Sequence, residues 1–350
     1  MGDIAKWDPN LAVETNIVRE GLQFFDVEQE PFTIHGIFKE GDYFRRIPEA
    51  VARSVSEGVY MLHTLTTGGR VRFVTDSPYV AIKTEYITEK SPHSAITGSS
   101  GYDMYAEIDG DMRFIATFLP PFEVKNGYES VCDMEPGHLR IITINFPRHS
   151  SVRKLYIGLK EGSVLQKAPG YRIQTPVVYY GSSITHGGCA SKPSSCYQNI
   201  LSRRYGCDFI NLGFGGNAKA EDEITEYICG LDMSAFVMDY DYNAPTVEHL
   251  RATHGRMFER IRQAHPEMPI LILPRPKYYL TAVEQERQEV IRGTYEKALA
   301  AGDKNVYFIS SRELMELVKD NGTVDNIHPT DSGFFSMALA ISKVFDKIFK

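Results

Sequence analysis

The chain contains no apolar run approaching the ~18 residues that a membrane-spanning helix requires. Its opening, Met1-Gly-Asp-Ile-Ala-Lys-Trp-Asp, has no apolar segment of the kind that directs export. The sequence therefore reads as an unexported, cytoplasmic protein without a membrane partner. Position 6 is Lys where a myristoylation signal wants Ser or Thr, so Gly2 reads as an ordinary start. There is no basic block either, and a net charge of −7 offers no long-range attraction to nucleic acid. Cysteine is scarce: Cys132, Cys189, Cys196, Cys207 and Cys229 form no C-x-x-C pair. An odd count suits reduced thiols better than a disulfide framework. The chain has no H-E-x-x-H, no paired Cys/His ligand set and no P-loop. Gly213-Phe-Gly-Gly216 lacks the third glycine of a dinucleotide loop. His249 and His254 miss the i, i+4 spacing that a shared metal on a helix prefers, and read as surface residues. No metal or organic cofactor is implied, and the partner left by these exclusions is a small or neutral molecule.

What is present divides into two periods. At 350 residues the chain is long enough for two domains. From about residue 21 to 157 apolar residues alternate, as in Arg70-Val-Arg-Phe-Val and Met104-Tyr-Ala-Glu-Ile108, and Gly68-Gly69, Asp109-Gly110 and Asn126-Gly127 punctuate them as turns. An all-β sandwich or jelly roll is the expected packing. Pro169-Gly170 breaks this alternation, which places a boundary between domains 1–168 and 169–350. Beyond it, short apolar runs at 177–180, 209–212, 235–239, 270–273 and 306–309 alternate with helical stretches at 197–204, 220–228, 247–264, 283–300 and 332–349. This is the pattern of an α/β domain on a parallel sheet. In such a sheet ligands bind beyond the carboxyl ends of the strands.

The chemistry-bearing residues follow those predicted strand ends. Gly181-Ser-Ser183-Ile-Thr comes after the first run, Asn211-Leu-Gly-Phe-Gly-Gly216 after the second, Asp241-Tyr-Asn243-Ala after the third, and Asp325-Asn-Ile-His328-Pro after the fifth. A serine hydroxyl becomes a useful nucleophile when an imidazole takes its proton and a carboxylate orients that imidazole. Ser183, His328 and Asp325 supply the three parts. Negative charge that builds on an attacked carbonyl oxygen needs donors aimed at it. The Ser183 and Gly216 N–H groups and the Asn243 amide are the candidates.

These four blocks resemble those of the SGNH, or GDSL-like, hydrolase superfamily, and the resemblance covers about the last half of the chain. It implies a flavodoxin-like α/β fold, Ser183, Asp325 and His328 as the catalytic triad, and Ser183, Gly216 and Asn243 as the oxyanion hole. Two positions depart from the family pattern: Ser182 stands where an acid is usual, and Tyr-Asp-Tyr-Asn-Ala replaces the usual Gly-x-Asn-Asp. Gly101-Tyr-Asp-Met-Tyr105 resembles the Gly-x-Asp-Leu-Tyr signature of a β-rich domain that precedes some SGNH esterases, with Met104 for Leu. That two-domain layout is similar to carbohydrate esterase family two. It implies a serine esterase releasing short acyl groups, foremost O-acetyl, from a carbohydrate or small metabolite, with the β domain as one wall of the cleft. Tyr102 and Tyr105 themselves are expected to pack the sandwich. His186, Tyr242 and Arg275 are candidates for the substrate-lining wall, although a structural salt bridge competes for Arg275. Acyl transfer through the same triad and non-catalytic glycan binding remain alternatives, with long-chain lipase activity a lesser one.

Overall fold

In a computed structural model of the chain, residues 17–88 and 90–349 are described, and the Met1-Gly2 start lies outside them. Two large antiparallel sheets and the two-stranded pair Phe38–Glu40 and Tyr43–Arg45 make up the strands of the N-terminal half. One orders the strands Leu22–Asp26, Ser150–Lys160, Tyr79–Thr88 and Gly127–Asp133. The other orders Leu165–Gln166, Arg70–Thr75, Arg140–Asn145, Tyr102–Ile108 and Asp111–Phe118, with Thr33–His35 beside Arg70–Thr75. Alternation explains the packing: Val71, Phe73, Met104, Ile142 and Ile144 turn inward to meet Val80, Ile82, Leu155 and Ile157 in one core. Asp109 and Gly110 form the two-residue turn between paired strands, both at positive φ (53° and 78°), as the sharp hairpin of that length requires.

The second half is α/β. Its parallel sheet runs Cys207–Gly213, Ile173–Gly181, Ala235–Asp239, Ile270–Ile272, Val306–Phe308 in space. The first strand in sequence thus lies second, which is the flavodoxin-like order. Helices Tyr197–Tyr205, Asp222–Cys229, Val247–Ala264, Ala282–Ala300 and Asp331–Ile348 flank it, and two apolar clusters bury its faces. Every strand and helix expected in this half is present. Among the described residues no helix is long and apolar enough to cross a membrane.

Two features depart from the sequence reading. The N-terminal half is β-rich but not all-β: helices Glu49–Val55 and Glu57–Leu62 interrupt it. Ile47, Ala52 and Val59 join the same core as Val178, Tyr180 and Leu212 of the parallel sheet. Their apolar spacing fits a helix face rather than a strand. Second, Arg70–Thr75 is buried at every position, not on alternate ones. Its outward face, carrying Arg70 and Arg72, does not meet water because it packs toward the α/β half, where Arg70 bonds the Phe209 carbonyl and Asp208.

Candidate active site

The nucleophile loop is built by the end of the first parallel strand. Gly181 closes Ile173–Gly181, and Ser182 caps the short helix Ser183–His186, its hydroxyl accepting from the Ile184 N–H at 3.2 Å. A neutral hydroxyl thus does the capping at the position where an acid is usual. Ser183 is the first helical residue, so its own N–H is one of the orphan donors of a helix start. Ser183 Oγ lies 2.9 Å from His328 Nε2, and His328 Nδ1 lies 2.7 Å from Asp325 Oδ2. Because Nδ1–H donates to the carboxylate, Nε2 is left to accept from the serine.

Asp325 and His328 sit on a tight turn ahead of helix Asp331–Ile348. The turn is closed by a bridge between Thr323 and Pro329 and by the Val324 N–H on the His328 carbonyl. Asp325 Oδ1 accepts from the Ile327 and His328 N–H groups at 3.1 and 2.8 Å, so the carboxylate organises its own loop while Oδ2 faces the imidazole. Partial burial opposes its charge, yet these bonds and the imidazole hold the Asp325 carboxyl below its ordinary range. The two side chains remain about a quarter exposed (25% and 27%), so water reaches the pair.

Three donors are candidates for the oxyanion position: the Ser183 and Gly216 N–H groups and the Asn243 amide. Among the described residues nothing accepts from the Ser183 or Gly216 N–H. Gly216 is at φ 74°, which a side chain would resist, and the space beside it is open. Asn243 ends the turn Asp241–Asn243, and its Oδ1 accepts from the Ala218 N–H at 3.2 Å. That contact fixes the amide and leaves Nδ2 free to donate. Upstream, Gly213 has no room for a side chain, since a Cβ there would come within 2.1 Å of the His186 nitrogen.

Of the groups that hold these loops, the sequence pointed only to a structural salt bridge at Arg275. Asp241 is buried and takes bonds from Arg275 Nε and Nη2 and from Arg287 Nε, at 3.0, 3.2 and 2.7 Å. Burial opposes its charge, but the arginines hold the Asp241 carboxyl below its ordinary range. Arg287 also bonds the Asp241 and Ala244 carbonyls, so the turn carrying Asn243 is pinned on both sides. From the N-terminal half, Arg46 donates to the Asn211 and Gly213 carbonyls at 3.2 and 2.6 Å and lies over the Phe214 ring. Burial pulls its pKa down to about 9, which still leaves it charged at neutral pH. Arg148, fully buried, donates to the carbonyls of Gly187, Gly188 and Ala190 at 3.2, 2.5 and 2.5 Å. Among the described residues neither arginine forms an ion pair with a carboxylate, so each charge is met by backbone oxygens of the loops around Ser183 and Gly216.

The Gly-x-Asp-Met-Tyr stretch has a similar part. Asp103 Oδ2 accepts from the Ser194 N–H at 2.8 Å and Oδ1 from Asn145 at 2.6 Å, while the Ser194 hydroxyl donates to Tyr105. Tyr102 is buried in the sandwich and bonds Thr84. The motif is a latch onto the α/β half.

The structure relocates several other candidates. His186 is buried, not on a pocket wall: its ring lies between the Gly213 and Arg148 carbonyls, 3.2 and 2.9 Å away, and against His149. Burial depresses its pKa to about 3, so the ring stays neutral. Arg275 is engaged by Asp241 and Glu284, and its guanidinium covers the Tyr242 ring at 4.4 Å. The structural salt bridge therefore claims it, and Tyr242 is partly buried beneath. His254, expected at the surface, is buried, bonded to Thr294 and stacked on Tyr240. One position on a helix face decides between surface and core, and spacing from His249 does not reveal which. Cys196 and Cys207 are buried free thiols, and Cys132, Cys189 and Cys229 are partly buried.

With this geometry in hand, comparisons with known proteins are consistent. Residues 174–346 match the GDSL-like lipase/acylhydrolase family, and residues 22–165 match the GxDLY family, the N-terminus of SGNH-hydro-type esterases. A GDSL-like lipase from Bacteroides ovatus is similar over 93% of this chain and 98% of its own, at 28% identity and a TM-score of 0.84. A salicylyl-acyltransferase from a tetracycline biosynthetic pathway shares the fold over 95% of this chain and 100% of its own, at 18% identity and a TM-score of 0.75. A family two carbohydrate esterase from Cellvibrio japonicus shares it over 94% and 98%, at 11% identity and a TM-score of 0.62. No curated protein sequence matches the chain. The chain belongs to the GDSL-like lipase/acylhydrolase family, with the GxDLY-type N-terminal domain of SGNH esterases ahead of its α/β domain.

Proposed function

We propose that this protein is a serine esterase that removes short acyl groups, foremost O-acetyl, from hydroxyls of a carbohydrate or small metabolite. The observation that carries this reading is the continuous Ser183–His328–Asp325 hydrogen-bond chain. In the first step His328 Nε2 takes the Ser183 proton as Oγ bonds to the ester carbonyl carbon. The oxygen that gains charge faces the Ser183 and Gly216 N–H groups and the Asn243 amide. His328 then gives its proton to the departing alcohol oxygen, leaving an acyl-serine. Water gives a proton to the same imidazole as its oxygen bonds to the acyl carbon; the carbon–Oγ bond then breaks, the imidazolium returns the proton to Oγ, and the carboxylic acid leaves. Asp325 stays ionised throughout and holds the imidazolium.

Carbohydrate enters from the fold shared with the family two carbohydrate esterase, and acetyl from the fold shared with an acetyl xylan esterase of Butyrivibrio proteoclasticus at 14% identity. A wall from the β-rich half, taken as residues up to 168, finds support in His93, whose Nε2 lies 3.9 Å from Asp325 Oδ2. Acyl transfer is the second reading, favoured by the fold shared with the salicylyl-acyltransferase. The partial exposure of Asp325 and His328 favours water as acceptor. The deciding experiment measures acetate release from a panel of acetylated sugars, with Ser183→Ala as control. Acetate should appear with wild type and vanish with the variant. Acylated acceptor accumulating ahead of free acetate would replace hydrolysis with transfer, and release undiminished in Ser183→Ala would end the serine mechanism.

A further inference from the structure

A cavity of about 500 Å³ lies between the two halves and away from Ser183. It is lined by Arg172 and Gly206, which precede the parallel strands Ile173–Gly181 and Cys207–Gly213, so it opens at their amino ends. Ser183 and Gly216 follow the carboxyl ends. A strand of seven residues such as Cys207–Gly213 separates the two regions by roughly 20 Å.

The lining is strongly one-signed. Five arginines reach it, against Glu107 as its one carboxylate. Arg70 is already paired with Asp208. Neither Arg72 nor Arg203 forms a close ion pair with a carboxylate among the described residues, although the Arg203 charge acts on the buried Asp103 carboxyl. Arg72 is 4% exposed, its Nη1 donates to the Pro169 carbonyl at 2.8 Å, and its guanidinium lies over the Tyr171 ring at 4.3 Å. Its Nε is sealed without a partner, and its Nη2, also without one, remains open. Arg203, on the facing helix, gives one bond to the Ser194 carbonyl and rests over the Tyr105 ring at 4.4 Å.

Register explains why these groups converge. Arg72 pairs with Thr143, and Thr143 with Tyr105, so adjacent strands present the three side chains in one row on the outward face of the sheet. The Thr143 hydroxyl is a second buried polar atom without a partner. A buried guanidinium with an unpaired Nε and an unpaired hydroxyl beside it are the reverse of what a closed interface selects. A compact anion with several acceptor oxygens would satisfy the charge, and the fork of an arginine suits phosphate and carboxylate alike.

We propose that this cavity binds a small metabolite through an oxyanion, a phosphate or carboxylate group, seated against Arg72 and Arg203 and bridging the two halves of the protein. The volume falls in the range of small-ligand sites, and the site is independent of the serine chemistry.

The test is thermal unfolding of the full chain with inorganic phosphate in one arm and citrate in the other, each against chloride at matched ionic strength. Phosphate at about tenfold its Kd should raise the Tm by roughly 2–4 °C, and the better of the two anions identifies the oxyanion class. Arg72→Met should abolish the shift and Arg203→Met should reduce it. Hydrolysis of a chromogenic acetate by both variants should stay at the wild-type rate, and Ser183→Ala should keep the full shift. If Arg72→Met fails to fold, Arg203→Met and direct titration calorimetry of wild type carry the decision. No shift beyond chloride with either anion, or an equal shift in the arginine variants, overturns the proposal and leaves a water-filled interface.

Discussion

Truncating Asn243 isolates the electrostatic part of the proposed mechanism from the nucleophilic part. The turn that carries this residue is held by Asp241, Arg275 and Arg287 through bonds that do not involve the Asn243 amide. The Asn243→Ala chain should therefore keep its fold, losing only the Oδ1 contact to the Ala218 N–H. What disappears is one of three donors facing the charged oxygen. One such donor is worth ~2.7–4 kcal/mol in the transition state, and at 1.36 kcal/mol per decade this is a fall of about 10²–10³ in kcat. KM should change little, because the ground-state carbonyl makes weaker use of the same donor. Asn243→Asp sharpens the test. It keeps the acceptor for Ala218 but turns an oxygen toward the developing charge, so it should be slower than the alanine variant. Steady-state hydrolysis of a chromogenic acetate gives kcat and KM, and a melting curve checks the fold. A kcat within about threefold of wild type in Asn243→Ala, with an unchanged melt, refutes the placement of Asn243 in the oxyanion site.

Two further outcomes test what holds the site. Arg148→Met leaves the Gly187, Gly188 and Ala190 carbonyls without their buried donor, partly offset by no longer desolvating a charge. We expect a loss on the order of 3 kcal/mol in denaturant unfolding, and a lower kcat in the folded fraction. An unchanged midpoint would show that this arginine is not a clamp. Burial pushes the Asp239 carboxyl up to about 8, against the hydrogen bonds it takes from Thr185 and Tyr197. The folded state then keeps a proton that the unfolded chain releases near pH 4. The resulting stability is complete below that point and is lost as pH rises toward 8, by at most about 1.4 kcal/mol per pH unit. His186 and His254, depressed by burial to about 3, act with the opposite sign only below the ordinary imidazole value. Asp239→Asn should therefore remove a decline in stability between pH 6.5 and 8, read as the difference between the two denaturation curves. Parallel curves would mean that Asp239 is ionised in the folded protein.

Legibility in the sequence followed the range of the interactions. Asp325 and His328 are three residues apart and share one turn, and Ser183 follows an apolar strand, so local pattern was enough to pick the three groups that the structure joins by hydrogen bonds. The helices at 49–62 were missed because their apolar spacing was read within a run of strands. His186 was assigned to the pocket by its nearness to Ser183 along the chain. A turn of helix instead points it into the interface, under Arg148.

Sequence by itself determined the fold class, the two periods of the chain and the order of the reactive residues along one rim. It could do so because hydrophobic period and strand-end placement are properties of short segments. Only the tertiary structure decided how that rim is held. Arg46, Asp103 and Arg148 lie far along the chain from the loops they grip, and an arginine that bonds carbonyl oxygens leaves no signature in its neighbours. The same holds for the arginine-lined cavity, whose charge converges because strand register places Arg72, Thr143 and Tyr105 in one row. Contacts between groups distant in sequence exist only once the two halves have packed, and the β-rich half is thereby part of the site's scaffold.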